Sequence, residues 1–173
     1  MQIVFVLFLV LFSNLLVADG FECSVDDRIM FAIAKVERHP KTPVGYPFLI
    51  SINMKKDKVK AKKIQSLKKY FLDSRTLDCN SQEECVGVLH ELNNHGITNL
   101  DCGAFQLNYK YWKMQRIADY FDTKKSYEKA CSIVMSHNKS NWSWENIAKY
   151  HSKTKKYNTK YKKYLIATIE KEL

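Results

Sequence analysis

The chain has 173 residues and carries 28 Lys and Arg against 18 Asp and Glu, a formal net charge of +10. Only 5 Gly and 3 Pro occur, no internal repeat is visible, and no Pro/Gly/Ser-rich linker divides the sequence, so one domain with a real core is expected. An excess of base this large implies an anionic partner, whether nucleic acid, a membrane surface or an acidic polymer.

The first elements concern export. Ile3 to Phe12 is an unbroken apolar run, interrupted by Ser13-Asn14 before Leu15 to Ala18. That is shorter than the ~20 apolar residues of a comfortable membrane span and suits the core of a signal peptide. Ala18-Asp19-Gly20 supplies small-x-small cleavage geometry, which assigns residues 1–20 to a signal and 21–173 to the working domain. Cleavage after Ala18 fits nearly as well. No Lys or Arg precedes the run, and an uncleaved anchor is the alternative; either would export the domain to the periplasm or beyond. Export argues against nucleic acid and for carboxylate-bearing cell wall. Membrane contact is expected only through the signal segment.

Ser24-Val25-Asp26-Asp27 reads as a capping box, followed by Ile29, Met30, Ile33 and Val36 at helical spacing until Pro40. Pro43, Gly45 and Pro47 make a rigid loop, and Phe48–Ile52 looks like a short buried strand. The Lys-rich stretch Asp57–Leu72, with Ile64, Leu67 and Phe71 on one face, predicts a surface helix, and Arg75–Cys79 an extended return. Ser81-Gln82-Glu83-Glu84 opens a second helix that Gly96 ends. Asn99–Asn108 reads as a semi-polar loop. Helical patterns follow at Tyr111–Phe121, Ser126–His137, Trp144–Ser152 and Asn158–Glu172, the last burying Tyr161, Tyr164 or Leu165, and Thr168 or Ile169. The class is α+β with helices dominant.

Glu37 lies four residues after Ile33 and seven after Met30, so it shares the apolar face of its helix. It also stands in the last turn, where the helix dipole disfavours negative charge. Partial burial and the dipole both favour the neutral acid, the form that cleavage of a glycosidic bond requires. The alternative is an ion pair with Arg38, Lys35 or another base at the core edge.

Glu37, then Asp101-x-Gly103-x-x-Gln106-x-Asn108, then Ala148-Lys149-Tyr150-x-Ser152, occur in an order that resembles the lytic transglycosylases. The likeness is to the small, stand-alone, lysozyme-like members associated with secretion and conjugation machines, and it spans Cys23 to Leu165. It implies a lysozyme-like domain that cleaves the bond between N-acetylmuramic acid and N-acetylglucosamine in peptidoglycan glycan strands. No cofactor and no metal are expected. Glu37 would be general acid and then general base. Gln106, Asn108, Phe105 and Asn53 would border the sugar groove, Gly103 would let backbone approach the substrate, and Tyr150 would hold Glu37 through its hydroxyl. Asp101 reads as a structural acceptor in the loop. The chain departs from the pattern at Arg38, where Ser is usual, at His151, where Asn is usual, and at Ala104-Phe105 in place of Leu-Met. The alternatives are a wall-binding assembly factor without chemistry and a hydrolytic lysozyme.

The five cysteines, Cys23, Cys79, Cys85, Cys102 and Cys131, cannot all pair within one chain, and the sequence does not fix their connectivity. The same resemblance suggests Cys23 with Cys131; Cys79 and Cys85 could close a short loop, leaving Cys102 as a small buried hydrophobe. Cys79, Cys85, His90, His95 and Cys102 do not match zinc-ligand spacing as a set. The eight lysines between Lys149 and Lys171, interleaved with tyrosines, read as a solvated face.

Overall fold

The computed structural model describes residues 21–172. The proposed signal segment, residues 1–20, lies outside them. Among the described residues no helix is long and apolar enough to cross a membrane.

Helix α1 spans Asp27–Glu37 and buries Met30, Ala32, Ile33 and Ala34. Its N-cap is Asp26, whose carboxylate accepts from the Arg28 backbone, so the expected capping box on Ser24 does not form. Arg38, the C-cap, is already extended, which ends the helix just before the proline-restricted loop.

Strand β1, Leu49–Ile52, is fully buried and lies inside a four-stranded antiparallel sheet of order β2-β1-β3-β4. Strand β2 is Thr76–Asp78, β3 is Leu100–Cys102 and β4 is Leu107–Asn108. The expected loop at Asn99–Asn108 is therefore a hairpin. Its turn is held by two N–H groups of Gln106, backbone and side-chain, that both donate to the Gly103 carbonyl at 3.2 and 3.0 Å. This fastens Gln106 in the left-handed region, with φ of 47°.

Register gives the sheet two unlike faces. Ile50 pairs with Leu77 and with Cys102, which pairs with Leu107, a row of apolar side chains turned into the core. Ser51 pairs with Thr76 and with Asp101, which pairs with Asn108, a polar row on the opposite face.

The Lys-rich stretch is not one helix. Helix α2 runs only over Lys55–Ala61, and a 3-10 helix covers Gln65–Tyr70. Ala61, Ile64 and Leu67 are the buried positions, a repeat of three that suits the tighter helix. Helix α3, Gln82–Asn94, starts where Ser81 Oγ accepts from the Glu84 N–H.

The expected helix at Tyr111–Phe121 shrinks to a 3-10 turn at Ile117–Phe121. Side chains take the backbone groups that a helix would have used. Tyr120 donates its hydroxyl to the Trp112 carbonyl and accepts from the Met114 N–H, while Asp119 accepts from the Arg116 N–H. Helix α4 is Thr123–His137, α5 is Trp144–Ile147 followed by a 3-10 turn at Ala148–Tyr150, and α6 is Lys155–Glu172. In α6 the inward residues are Asn158, Tyr161 and Leu165, whereas Tyr164 is exposed.

One core runs from Val25 to Leu165, with α1 packed on α6. Disulfides join Cys23 to Cys131 and Cys79 to Cys85. Such bonds accord with an oxidising, exported environment. Cys102 is a buried free thiol, placed in the apolar row by the register of β3.

Candidate active site

A cleft of about 1040 Å³ lies over the polar face of the sheet. Its floor includes Ser51, Asn53, Thr76, Asp101 and Asn108, and Glu37 enters from the end of α1. Exposed or half-buried aromatics line it as well: Tyr111 and Trp112 after the hairpin, Tyr157 and Tyr164 on α6, with Lys160 beside the α6 pair.

Glu37 keeps only 14% of its side chain exposed, although its cleft is open. Neither base next to it in sequence is its partner. Lys35 reaches Glu172 on α6 at 3.3 Å, and Arg38 donates to the carbonyls of Pro40 and Thr42 at 3.3 and 2.9 Å. Arg38 thus fastens the loop after α1. The partner of Glu37 is His151, whose Nδ1 lies 3.5 Å from Oε1. Hydrogen bonding to Glu37 raises the His151 pKa above its ordinary value, against the opposing effect of burial. The His151 ring also stacks on Tyr161, with centroids 4.7 Å apart and planes 10° from parallel.

Tyr150 lines the cleft, but its hydroxyl donates to the Phe105 carbonyl at 2.6 Å instead of holding Glu37. This corrects its expected role. The Glu37 charge acts on the hydroxyls of both Tyr150 and Tyr161, and that of Tyr161 is buried with no hydrogen-bond partner within bonding geometry. Burial, then the charge of Glu37, pushes the Tyr161 hydroxyl well above the usual tyrosine range.

Two further residues have roles other than those expected. Phe105 is buried and packs edge-on against Tyr127 at 5.9 Å, away from the cleft. Gly103 has φ of 78°, and a Cβ there would stand 1.9 Å from the Tyr120 carbonyl oxygen. Its missing side chain admits the neighbouring backbone, not a substrate. Gln106, Asn108 and Asn53 do line the cleft.

Asp101 is the acceptor of that floor. Asn108 Nδ2 donates to it at 2.8 Å and to Asn99 Oδ1 at 3.0 Å, and Asn53 donates to the same Asn99 oxygen at 3.3 Å. Burial raises the Asp101 pKa, opposed by its amide donors and reinforced by the Glu37 charge. Arg75 was not singled out by sequence. It lies 4.0 Å from Asp101 and donates to Asn53 Oδ1 at 3.3 Å, leaving its buried Nε without a partner. The second cleft histidine, His39, pairs with Asp73 at 3.3 Å.

The cleft therefore combines a shielded carboxyl group, an imidazole beside it, a floor of amides and aromatic walls. Compared with known proteins, the chain matches no family model, no curated protein and no solved structure.

Proposed function

We propose that the protein is a lysozyme-like peptidoglycan lytic transglycosylase with Glu37 as its acid and base. The observation that carries this reading is a carboxylate largely shielded from water yet set in a cleft of about 1040 Å³ lined by amides and aromatics. The amides of Asn53, Gln106 and Asn108 suit acetamido and hydroxyl groups, and exposed aromatic faces suit the apolar faces of pyranose rings. In the reaction Glu37 protonates the oxygen leaving N-acetylmuramic acid. It then takes the proton of that sugar's 6-hydroxyl as the hydroxyl oxygen bonds to the anomeric carbon. The 1,6-anhydro ring so formed needs no second carboxylate, in contrast to two-carboxylate glycosidases. The resemblance in motif order adds local wall opening for a secretion or conjugation apparatus as the setting.

A second reading is a wall-binding assembly factor without chemistry. The contact between Glu37 and His151 favours it, because a carboxyl group held by an imidazole is less free to pass a proton to a substrate. Digestion of purified peptidoglycan, analysed by mass spectrometry, separates the readings. Anhydro ends from the wild type and none from Glu37→Gln support the transglycosylase; reducing ends heavier by one water identify a hydrolase. Wall binding by an inactive wild type supports the assembly factor.

A further inference from the structure

One block of the protein's positive charge lies in the segment after β1, and none of its lysines lines the cleft. Lys55, Lys56, Lys58, Lys60, Lys62, Lys63, Lys68 and Lys69 stand in one segment, α2 and the 3-10 helix after it, with Asp57 the only acid among residues 55–70. Because burial falls on Ala61, Ile64 and Leu67, the pairs Lys62-Lys63 and Lys68-Lys69 fall between inward positions and are exposed, as is the pair Lys55-Lys56.

Among the described residues none of these eight lysines has a carboxylate within 4.0 Å; the lysines that do are Lys35, Lys124, Lys125 and Lys162, all outside the segment. Lys60 donates to the His95 carbonyl, a neutral partner that leaves its charge in place. Two apolar side chains stand exposed among them: Met54, the N-cap of α2, at 43%, and Val59 at 54%. Unpaired charge alone would suit any polyanion. Unpaired charge around protruding methyl groups suits a surface whose anionic layer lies above hydrocarbon.

We propose that the segment Met54–Lys69 docks the protein on a bilayer rich in anionic phospholipid, its lysines on the phosphate layer and Met54 and Val59 dipping beneath it. This adds a second membrane contact to that expected of residues 1–20, and it is independent of the chemistry proposed for Glu37. Since α2 begins two residues after Asn53, docking would bring one end of the cleft close to the membrane surface.

The test is co-sedimentation of the exported protein with phosphatidylcholine vesicles, with and without an equal share of phosphatidylglycerol. Two variants are compared with the wild type: Lys55→Gln/Lys56→Gln/Lys62→Gln/Lys63→Gln, and Met54→Ser/Val59→Ser. All substituted positions are exposed, and unchanged thermal unfolding verifies both folds. Expected are binding to the anionic vesicles only, a loss of about fivefold per lysine removed, and a severalfold loss for the Met54/Val59 variant on vesicles but not on soluble polyglutamate. Equal binding to zwitterionic vesicles, or undiminished binding by the lysine variant, overturns the proposal. A Met54/Val59 variant that binds vesicles like the wild type overturns it in favour of a soluble acidic polymer.

Discussion

His151, on the turn before α6, meets Glu37, on the last turn of α1, with 3.5 Å between Nδ1 and Oε1. The pair joins two elements more than a hundred residues apart in sequence, and the ring of Tyr161 backs the imidazole. A His whose folded pKa is raised binds its proton more tightly in the native state. Its contribution to stability is thus complete below its unfolded value near 6.5 and fades as pH rises through the folded value. We expect an NMR titration of His151 to give a pKa above the ordinary value, and Glu37→Gln to bring it down. Unchanged titration in the variant would show that the pair does not form in solution.

Tyr150→Phe removes the only donor given to the Phe105 carbonyl by this side chain while keeping its ring. A buried carbonyl left unsatisfied costs about 1–3 kcal/mol. Denaturant unfolding should register that loss, and amide exchange should quicken in the 103–108 turn. A variant as stable as the wild type, with its turn equally protected, would return Tyr150 to a direct role at Glu37.

Gly103→Ala places a methyl group against the Tyr120 carbonyl and forces a positive φ on a residue with a side chain. Either the hairpin or the 3-10 turn at Ile117–Phe121 must move. The expected cost is at least ~2 kcal/mol in chemical denaturation.

Reading these elements from sequence succeeded where periodicity was local and long. The spacing of Ile29, Met30, Ile33 and Glu37 sufficed to place the carboxylate on the inward side of α1, and the structure leaves it largely buried. The sheet's polar row was hidden because its strands have two to four residues, too few for alternation to register. Tyr111–Phe121 looked helical because its pattern carries no sign that Tyr120 and Asp119 will satisfy the backbone. His151 was visible only as a departure from a motif, and Tyr161 only as a core residue. Their meeting with Glu37 depends on how α6 packs on α1, which no local pattern encodes.

The disulfides differ in the chain they close, with separations of 108 residues for Cys23–Cys131 and 6 for Cys79–Cys85. Loop-closure entropy assigns roughly 4–5 kcal/mol to the first and roughly 2 kcal/mol to the second. Melting of Cys23→Ser/Cys131→Ser should therefore fall further than that of Cys79→Ser/Cys85→Ser. The reverse order would mean that the short bridge acts by holding Asp78 and α3 in place, not through the unfolded chain.

The pairing of β1 with β3 couples foldedness to the lining of the cleft. Sliding one strand by a residue would turn the Asp101 carboxylate toward hydrocarbon and present the Cys102 thiol to incoming ligand. Insertions or deletions within Leu49–Ile52 or Leu100–Cys102 should consequently abolish stability and recognition together, whereas the exposed lysines of the segment that follows β1 can change charge without moving its buried Ala61, Ile64 and Leu67.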